Sequence, residues 1–249
     1  MKSVPLQNEF IVSKNYEALT EDAVKRILEA SQKAIEKRGS FHLALAAGMN
    51  SRGVYAAMAN NTYREEFDWA HIHFYWIDER WVPADSSKSH YGLAAEVLLT
   101  RIDIPIENIH PIRTNVDTPE DSAKWYGESL QNHVGGEGLV PRLDMILLEL
   151  GSDGQVASLY PDHEALFEKE KFAVTVSSSV FDEKRITVTF PVINHARQVL
   201  FLVSGREKSE VLERVLEGEF KEEGLPAQLV CPPHGTVTWI VESSAAARA

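Results

Sequence analysis

The sequence predicts an α/β protein built on a mostly parallel central sheet with helices on both faces. Strand-like and helix-like segments alternate along the 249 residues, which favours parallel strands joined by helices. Several strand-like segments are short, nearly continuous apolar runs, as expected of strands buried on both faces of a sheet. The length suits one large α/β unit and no long Pro/Gly/Ser linker divides the chain, so we expect a single domain over residues 1–249.

In the first half of the chain, apolar runs predict strands at Phe10–Val12, His42–Ala46 and His71–Ile77. Between the first two runs, Thr20 is a predicted N-cap followed by acidic residues. Apolar residues then recur at helical spacing until Gly39 offers a C-terminal stop. Further helices are predicted through Val54–Met58 and from Ser89.

In the second half, the segment Thr118-Pro119-Glu120-Asp121 combines an N-cap, a proline at the first helical position and acidic residues, and it predicts a helix start. Another helix is expected to open at Gly205–Lys208. Strands are predicted at Leu143–Leu150, Arg185–Phe190, Gln198–Ser204 and Thr236–Val241.

Composition and charge exclude several classes of protein. The chain is 44% hydrophobic and 25% charged, close to the average of globular proteins, which argues against a disordered, collagen-like or coiled-coil chain. No run approaches the roughly 20 apolar residues of a membrane span. The single Cys231 and the lack of an apolar leader favour a cytoplasmic protein. A net charge of −12 argues against nucleic-acid binding, yet a few local cations can still hold a small anion.

Ligands of open α/β sheets bind beyond the carboxyl ends of the strands, so the segments that follow the strands are the candidate sites. After His42–Ala46, a small-residue turn containing Gly48, Asn50 and Ser51 opens a helix and can present N–H groups to a phosphate. It lacks the Gly/Lys pattern of a P-loop, and a plain strand-to-helix turn is the alternative.

Two more polar segments follow predicted strands. Asp78-Glu79-Arg80 is either a cluster in which Arg80 faces an anion or a local knot of salt bridges. Gly151–Gln155 is either a loop that lets the backbone approach a ligand closely or an ordinary glycine turn. Arg185 and Lys208 are phosphate ligands or surface bases.

Two histidines, His71 and His73, share one strand face at a spacing of two residues. That pattern invites a metal interpretation, but no third ligand stands at a suitable spacing. Packing histidines are the favoured interpretation, and no metal site is predicted.

Taken in order along the chain, these motifs resemble the 6-phosphogluconolactonase family, within the wider group that includes glucosamine-6-phosphate deaminase. The resemblance runs roughly over residues 41–242. The motifs that carry it are Asp78-Glu79-Arg80-x-Val82-Pro83 with Ser89, Gly151-Ser152-Asp153-Gly154-x-x-Ala157-Ser158-Leu159-Tyr160-Pro161, Arg185-Ile186-Thr187-x-Thr189, Gly205-x-x-Lys208 and Leu225-Pro226-Ala227.

The resemblance implies hydrolysis of 6-phosphogluconolactone to 6-phosphogluconate, in the oxidative pentose phosphate pathway, with no cofactor and no metal. It implies a small-molecule sugar phosphate as the partner. It places Asp153, Gln155 and Arg80 at the reacting end of the substrate. It places the sugar-phosphate contacts at Gly48, Asn50, Ser51, Asp78, Arg185 and Lys208.

The chain departs from the family pattern at sites that matter for catalysis. The family's Asp-Gly-His is here Asp153-Gly154-Gln155, and a glutamine amide cannot take the proton of the attacking water. A general base contributes about 10²–10⁴-fold, so we expect impaired hydrolysis unless another histidine, His90 or His163, replaces it. The phosphate turn Ala46–Ser51 has also lost one glycine and the threonine of the family. The alternatives are a non-catalytic relative that binds a sugar phosphate or a protein partner, and a deaminase-type isomerase, against which Asp78-Glu79-Arg80 argues.

Overall fold

A computed structural model of the chain describes residues 8–135, 139–178, 181–219 and 224–247. The strands are β1 (Asn8–Ser13), β2 (Phe41–Leu45), β3 (Ile72–Trp76), β4 (Asp78–Arg80), β5 (Ile109–His110), β6 (Met145–Glu149), β7 (Ala173–Ser178), β8 (Phe181–Val188), β9 (Gln198–Val203) and β10 (Thr236–Glu242). The helices are α1 (Tyr16–Arg38), α2 (Met49–Met58), α3 (His90–Val97), α4 (Pro119–Leu130), α5 (Phe190–Ile193) and α6 (Ser209–Glu217).

The central sheet has seven strands in the order β1-β10-β9-β6-β2-β3-β5, and every neighbouring pair is parallel. Its middle strands are almost wholly apolar and buried, because helices cover both faces and leave no solvated side. The predicted mostly parallel α/β fold is therefore confirmed. Within the described residues, no helix is long and apolar enough to cross a membrane.

The first helix begins earlier than predicted. The side chain of Asn15 accepts a hydrogen bond from the backbone N–H of Ala18 at 3.0 Å and is the N-cap, whereas Thr20 lies one turn inside the helix. The predicted N-cap at Thr20 was wrong because the buried face already starts at Leu19, so packing extends the helix upstream. The predicted end is confirmed, since Gly39 adopts the left-handed conformation with φ of 82°.

A second, three-stranded sheet has the order β4-β8-β7 and is antiparallel. The Asp78–Arg80 segment forms the short strand β4, which was not predicted. The predicted Arg185–Phe190 strand was wrong in its bounds, because it is part of β8 in this second sheet and ends at Val188. Phe190 instead starts α5, with Pro191 in its first turn. Alternation along the sequence indicates a strand but carries no information about its partner.

The direction in which the sheet is wound reverses between β2 and β6. From β2 the chain proceeds to β3 and β5 on one side, and it then returns to β6, on the other side of β2. The loops that leave adjacent strands at such a point turn to opposite faces and open a crevice at the carboxyl edge of the sheet. The loops beyond Leu45 and Glu149 therefore border a crevice that the topology itself creates.

Candidate active site

A cavity of about 280 Å³ lies at this edge of the sheet. The second sheet forms one wall, and the loops after β2, β6 and β9 form the others. Of the residues singled out in the sequence, it is lined by Asp78, Arg80, His90, Gln155, Arg185 and Lys208. Outside this lining, though on the bordering loops, lie Gly48, Asn50, Ser51 and Asp153.

Asp78 and His90 form a buried pair in the cavity wall. His90 Nδ1 lies 3.0 Å from Asp78 Oδ1 and 2.9 Å from the Asp78 carbonyl oxygen, so its N–H donates to Asp78. The Ser158 hydroxyl donates to the other carboxylate oxygen at 2.6 Å. Asp78 and His90 are only 4% and 5% exposed, and the arrangement fixes both the orientation of the imidazole ring and the nitrogen that carries its proton.

The pKa values of this pair move in opposite directions. Burial alone would raise the pKa of Asp78, but the charge and the hydrogen bond of His90, the Ser158 hydroxyl and the Arg185 charge lower it overall. Burial alone would lower the pKa of His90, and the Asp78 carboxylate raises it overall. With Nδ1–H bound to Asp78, Nε2 is the nitrogen that remains for proton transfer.

Glu79 lies between Asp78 and Arg80 on β4, and its role is structural. Its carboxylate accepts hydrogen bonds from the backbone N–H groups of His90 and Tyr91, each at 2.8 Å, and from the Ser89 hydroxyl at 2.9 Å. Ser89 in turn caps α3 by accepting from the Gly92 N–H. The helix start predicted at Ser89 is confirmed, and Glu79 fixes that start, and with it His90, against β4.

Two arginines lie side by side on the cavity wall. Arg80 on β4 is paired directly with Arg185 on β8 in the antiparallel register. Arg80 also donates to the Lys88 carbonyl oxygen at 2.6 Å. Like charges opposite one another destabilise a strand pair, and a bound anion between them would relieve that repulsion. The juxtaposition therefore favours an anionic ligand.

The glycine loop after β6 holds Gln155 against the cavity. Gly154 has a φ of 86°, which only glycine adopts without strain, and the Asp153 carboxylate accepts from the Gln155 N–H at 3.0 Å. A Cβ on Gly151 would lie 2.1 Å from Gln155 Cγ, so the glycine makes room for this side chain. Asp153 itself is exposed and shapes the turn, and Gln155 faces the cavity.

The turn before α2 is occupied by a carboxylate that the sequence analysis did not single out. Glu149, at the end of β6, accepts hydrogen bonds from the Ser51 N–H at 2.7 Å and the Ser51 hydroxyl at 2.6 Å. Burial raises the pKa of Glu149, while the hydrogen bonds from Ser51 and Asn50 and the charge of Lys208 oppose the rise. The available signal was a carboxylate at the carboxyl end of a buried parallel strand.

Lys208 reaches the cavity from the other side of β6. Gly205, with a φ of 93°, turns the chain after β9, and a short 3-10 turn over Arg206–Lys208 precedes α6. The predicted helix start is thus confirmed near this position, one residue beyond Lys208. The turn places the Lys208 ammonium on the cavity wall, near Glu149.

The remaining histidine candidates lie elsewhere. His163 accepts from the Ala165 N–H at 3.1 Å and caps a 3-10 turn over Glu164–Phe167, outside the cavity lining. His71 pairs with Asp68 on the surface, and His73 stacks on His42. Across the described parts of the chain, no three His, Cys, Asp or Glu side chains are arranged to hold a metal ion.

Comparison with known proteins gives a consistent family. A sequence model of the family described as "Glucosamine-6-phosphate isomerases/6-phosphogluconolactonase" matches residues 14–239. A 6-phosphogluconolactonase of Synechocystis sp. is 35% identical over 232 residues, which cover 93% of this chain and 94% of that protein. The human 6-phosphogluconolactonase is 40% identical over 171 residues, or 68% of this chain and 65% of its own.

Solved structures share the fold over almost the whole chain. The 6-phosphogluconolactonase of Trypanosoma brucei matches with a TM-score of 0.85 at 27% identity, covering 97% of this chain and 98% of that one. A monomeric glucosamine-6-phosphate deaminase matches with a TM-score of 0.81 at 21% identity, over 97% of this chain and 100% of its own, which is a likeness of fold alone.

Proposed function

The chain belongs to the glucosamine-6-phosphate isomerase/6-phosphogluconolactonase family, and we propose that it hydrolyses 6-phosphogluconolactone to 6-phosphogluconate. The observation that carries this proposal is the convergence, in one cavity, of three cationic side chains with a buried Asp–His pair. The cations suit a phosphorylated substrate, and the pair suits proton transfer in ester hydrolysis.

The phosphate of the substrate is held by Arg185 and Lys208. Arg185 lies on β8 of the second sheet and Lys208 lies in the turn after β9 of the central sheet, so they can approach one anion in the cavity from two directions. Arg185 supplies a planar fork for two phosphate oxygens, and Lys208 supplies a point charge. With the phosphate fixed there, the lactone ring extends toward Arg80, His90 and Gln155.

In the chemical step His90 is the general base. It replaces the histidine of the family motif, which in this chain is Gln155. Water attacks the lactone carbonyl carbon while His90 Nε2 takes its proton, and the carbonyl oxygen becomes an oxyanion beside Arg80. The bond from that carbon to the ring oxygen then breaks, and the imidazolium returns the proton to the ring oxygen. The products are a free hydroxyl group and a carboxylic acid, which ionises at neutral pH.

Asp78 acts as a positioning residue for this step. It binds the Nδ1–H of His90, holds the ring in the form whose Nε2 accepts a proton, and stabilises the imidazolium that forms. Gln155, on the facing loop, orients the attacking water through its amide. This division of labour needs neither a metal nor an organic cofactor.

The direct test compares lactone hydrolysis with and without the protein, at a pH where the spontaneous background is slow. We expect the wild type to exceed the background and His90→Gln to lose about 10²–10⁴-fold in kcat, the typical worth of a general base. Thermal unfolding and the affinity for 6-phosphogluconate, measured beside it, report whether the variant still folds. A His90→Gln variant that keeps the wild-type rate would remove His90 from the mechanism.

Gln155→His tests whether a second position can carry the base. Added to His90→Gln, it should restore hydrolysis by one to a few orders of magnitude, with an inflection near the ordinary imidazole pKa of about 6.5, because only the neutral ring accepts a proton. The matched control is Gln155→Asn added to His90→Gln, which alters the side chain without supplying a base. No gain from the histidine would show that this wall of the cavity does not face the reacting carbon.

A non-catalytic family member that binds a sugar phosphate is the second candidate. It is favoured by Gln155, which lines the cavity at the position of the family's histidine and cannot take a proton. A wild type that binds 6-phosphogluconate but leaves the lactone at its spontaneous rate would decide for this candidate.

A further inference from the structure

The donors at the first turn of α2 are already bound to an anion of the chain itself. Glu149 Oε1 accepts from the N–H and the hydroxyl of Ser51, and the Asn50 amide lies 3.4 Å from Oε2. These are the groups that a helix start following a small-residue turn presents to a bound anion. α2 is ten residues long, so its dipole places a partial positive charge at this first turn. A carboxylate stabilises that charge as a phosphate oxygen would.

The carboxylate also fills the space that the glycine leaves open. A Cβ on Gly48 would lie only 2.4 Å from Glu149 Oε2, so the carboxylate rests directly against the backbone of the turn. A phosphate that approached Gly48 for backbone contacts would meet this carboxylate first. The same side chain lines the cavity beside Lys208, whose charge it partly neutralises.

A carboxylate in the cavity distinguishes a substrate that ends in a phosphate from one that ends in a hydroxyl group. A phosphate dianion carries no proton to donate, and it is repelled by a second anion in the same cavity. A hydroxyl group at the same carbon can donate a hydrogen bond to the carboxylate. A substrate that ends in a hydroxyl is therefore compatible with Glu149, whereas a phosphorylated one must rely on Arg185 and Lys208 alone.

We propose that Glu149 is a specificity-determining residue, which occupies the anion position at the first turn of α2 and so narrows the preference of this cavity for phosphorylated over unphosphorylated sugar lactones. The inference rests on the proposed function, because it concerns the same cavity and the same class of reaction. It adds a second substrate class, aldonolactones with a free terminal hydroxyl group.

The test measures two dissociation constants by calorimetry, those of 6-phosphogluconate and of gluconate, for the wild type and Glu149→Gln. Glutamine keeps the size of the side chain and removes its charge. We expect 6-phosphogluconate to bind at least about tenfold more tightly to the variant, whereas the affinity for gluconate changes less than threefold or weakens. Glu149→Ala should shift the ratio of the two constants in the same direction, and thermal unfolding verifies that both variants fold.

Glu207→Gln is the matched control, because it removes one negative charge from the exposed residue next to Lys208 in the chain, outside the cavity lining. It should leave the ratio of the two constants near the wild-type value. An unchanged ratio in Glu149→Gln would overturn the proposal and leave Glu149 as a support for the Ser51 turn, and weaker binding of 6-phosphogluconate would do the same.

The proposed function and this inference fail in different ways. If lactone hydrolysis stays at the spontaneous rate with every variant while the ratio of dissociation constants shifts as expected, the hydrolase proposal fails and the role of Glu149 stands. Clear hydrolysis with an unchanged ratio would do the reverse. A wild type that hydrolyses gluconolactone at a rate within about tenfold of 6-phosphogluconolactone, with Glu149→Gln widening that gap, would support the second substrate class directly.

Discussion

Arg185 and Lys208 illustrate how single residues acquire a role that depends on the fold. They are 23 positions apart in the chain, one on β8 and the other in the turn after β9, and each alone looks like a surface base. Arg185 is brought to the cavity by antiparallel pairing with β4, and Lys208 by the turn after Gly205. Convergence on one cavity makes a shared anion the simplest reason for both charges.

We therefore expect Arg185→Ala and Lys208→Ala each to weaken 6-phosphogluconate binding about tenfold or more. Charge-assisted hydrogen bonds to a phosphate are typically worth about 1.5–3 kcal/mol, and about 1.4 kcal/mol is a factor of ten in affinity. Lys184→Ala is the control, because Lys184 lies next to Arg185 but points to Glu120 on the surface. Equal calorimetric affinities for the wild type and both cavity variants would remove these residues from the phosphate site.

The residues that the sequence could predict are those whose chemistry is written in local motifs. Arg80, Gln155, Arg185 and Lys208 each belong to a short motif that the sequence analysis singled out, and all four line the cavity. Glu149 was not predicted as a site residue, because its partner Ser51 is 98 positions away and only the adjacency of β2 and β6 brings the two together. The bond between Asp78 and Ser158 spans 80 positions and was hidden for the same reason.

At the scale of elements, the helix starts predicted near Ser89 and Thr118 are confirmed, whereas the start predicted at Thr20 was wrong. Thr118 is an N-cap as predicted, and the helix predicted from Ser89 begins with Ser89 as its N-cap. In both cases the hydroxyl group accepts from the N–H group three residues on. The short strand β4 was missed, since all three of its residues are charged and its pairing with β8 is decided by distant sequence. Local patterns thus predict some helices from their own N-cap residues, but they do not predict a short strand that forms only by pairing with a distant strand.

Glu79 joins two such elements, and its removal should cost much of their stability. In Glu79→Ala the N–H groups of His90 and Tyr91 lose their acceptor in a buried setting, where an unmade hydrogen bond costs roughly 1–3 kcal/mol. We expect the free energy of unfolding in urea to fall by about 3 kcal/mol or more, and kcat to fall with it, because α3 begins at His90.

Asp85→Ala is the control for Glu79→Ala, because Asp85 is an exposed carboxylate in the loop between β4 and α3. Surface substitutions of this kind usually stay within about 0.5 kcal/mol of the wild type. If the two variants unfolded at the same urea concentration, the cap on α3 would carry no weight in the stability of the protein.

At the scale of the whole molecule, a cluster of four histidines lies outside the cavity, near the amino ends of β2 and β3. His42 on β2 stacks on His73 of β3 with ring centroids 4.7 Å apart, and His73 Nδ1 lies 3.2 Å from Nε2 of His110 on β5. His133 lies against His110 at 4.5 Å. The packing interpretation is confirmed for His73. It was wrong for His71, which lies in a 3-10 turn before β3 and pairs with Asp68 at the surface.

Burial lowers the pKa of His42 and of His110 to about 4, and the charges of the neighbouring histidines add to the effect. In the unfolded chain both rings titrate near pH 6.5. Between about pH 6.5 and pH 4 the unfolded state therefore binds protons that the folded state excludes. Stability is complete above this window and falls as the pH drops through it.

His110→Phe tests this linkage, because phenylalanine keeps a ring against Tyr75 and removes one titrating group. Urea unfolding between pH 7.5 and pH 4.5 should show that the free energy of unfolding falls less steeply with acid in the variant, by up to about 1.4 kcal/mol per pH unit for one proton. His71→Gln, which removes an exposed ring, should keep the wild-type slope. Lactone hydrolysis at pH 7.5 should be unchanged in both variants, because the cluster lies outside the cavity lining. Parallel slopes for the wild type and His110→Phe would mean that the acid sensitivity of this protein arises elsewhere, with the buried Asp78–His90 pair as the next site to vary.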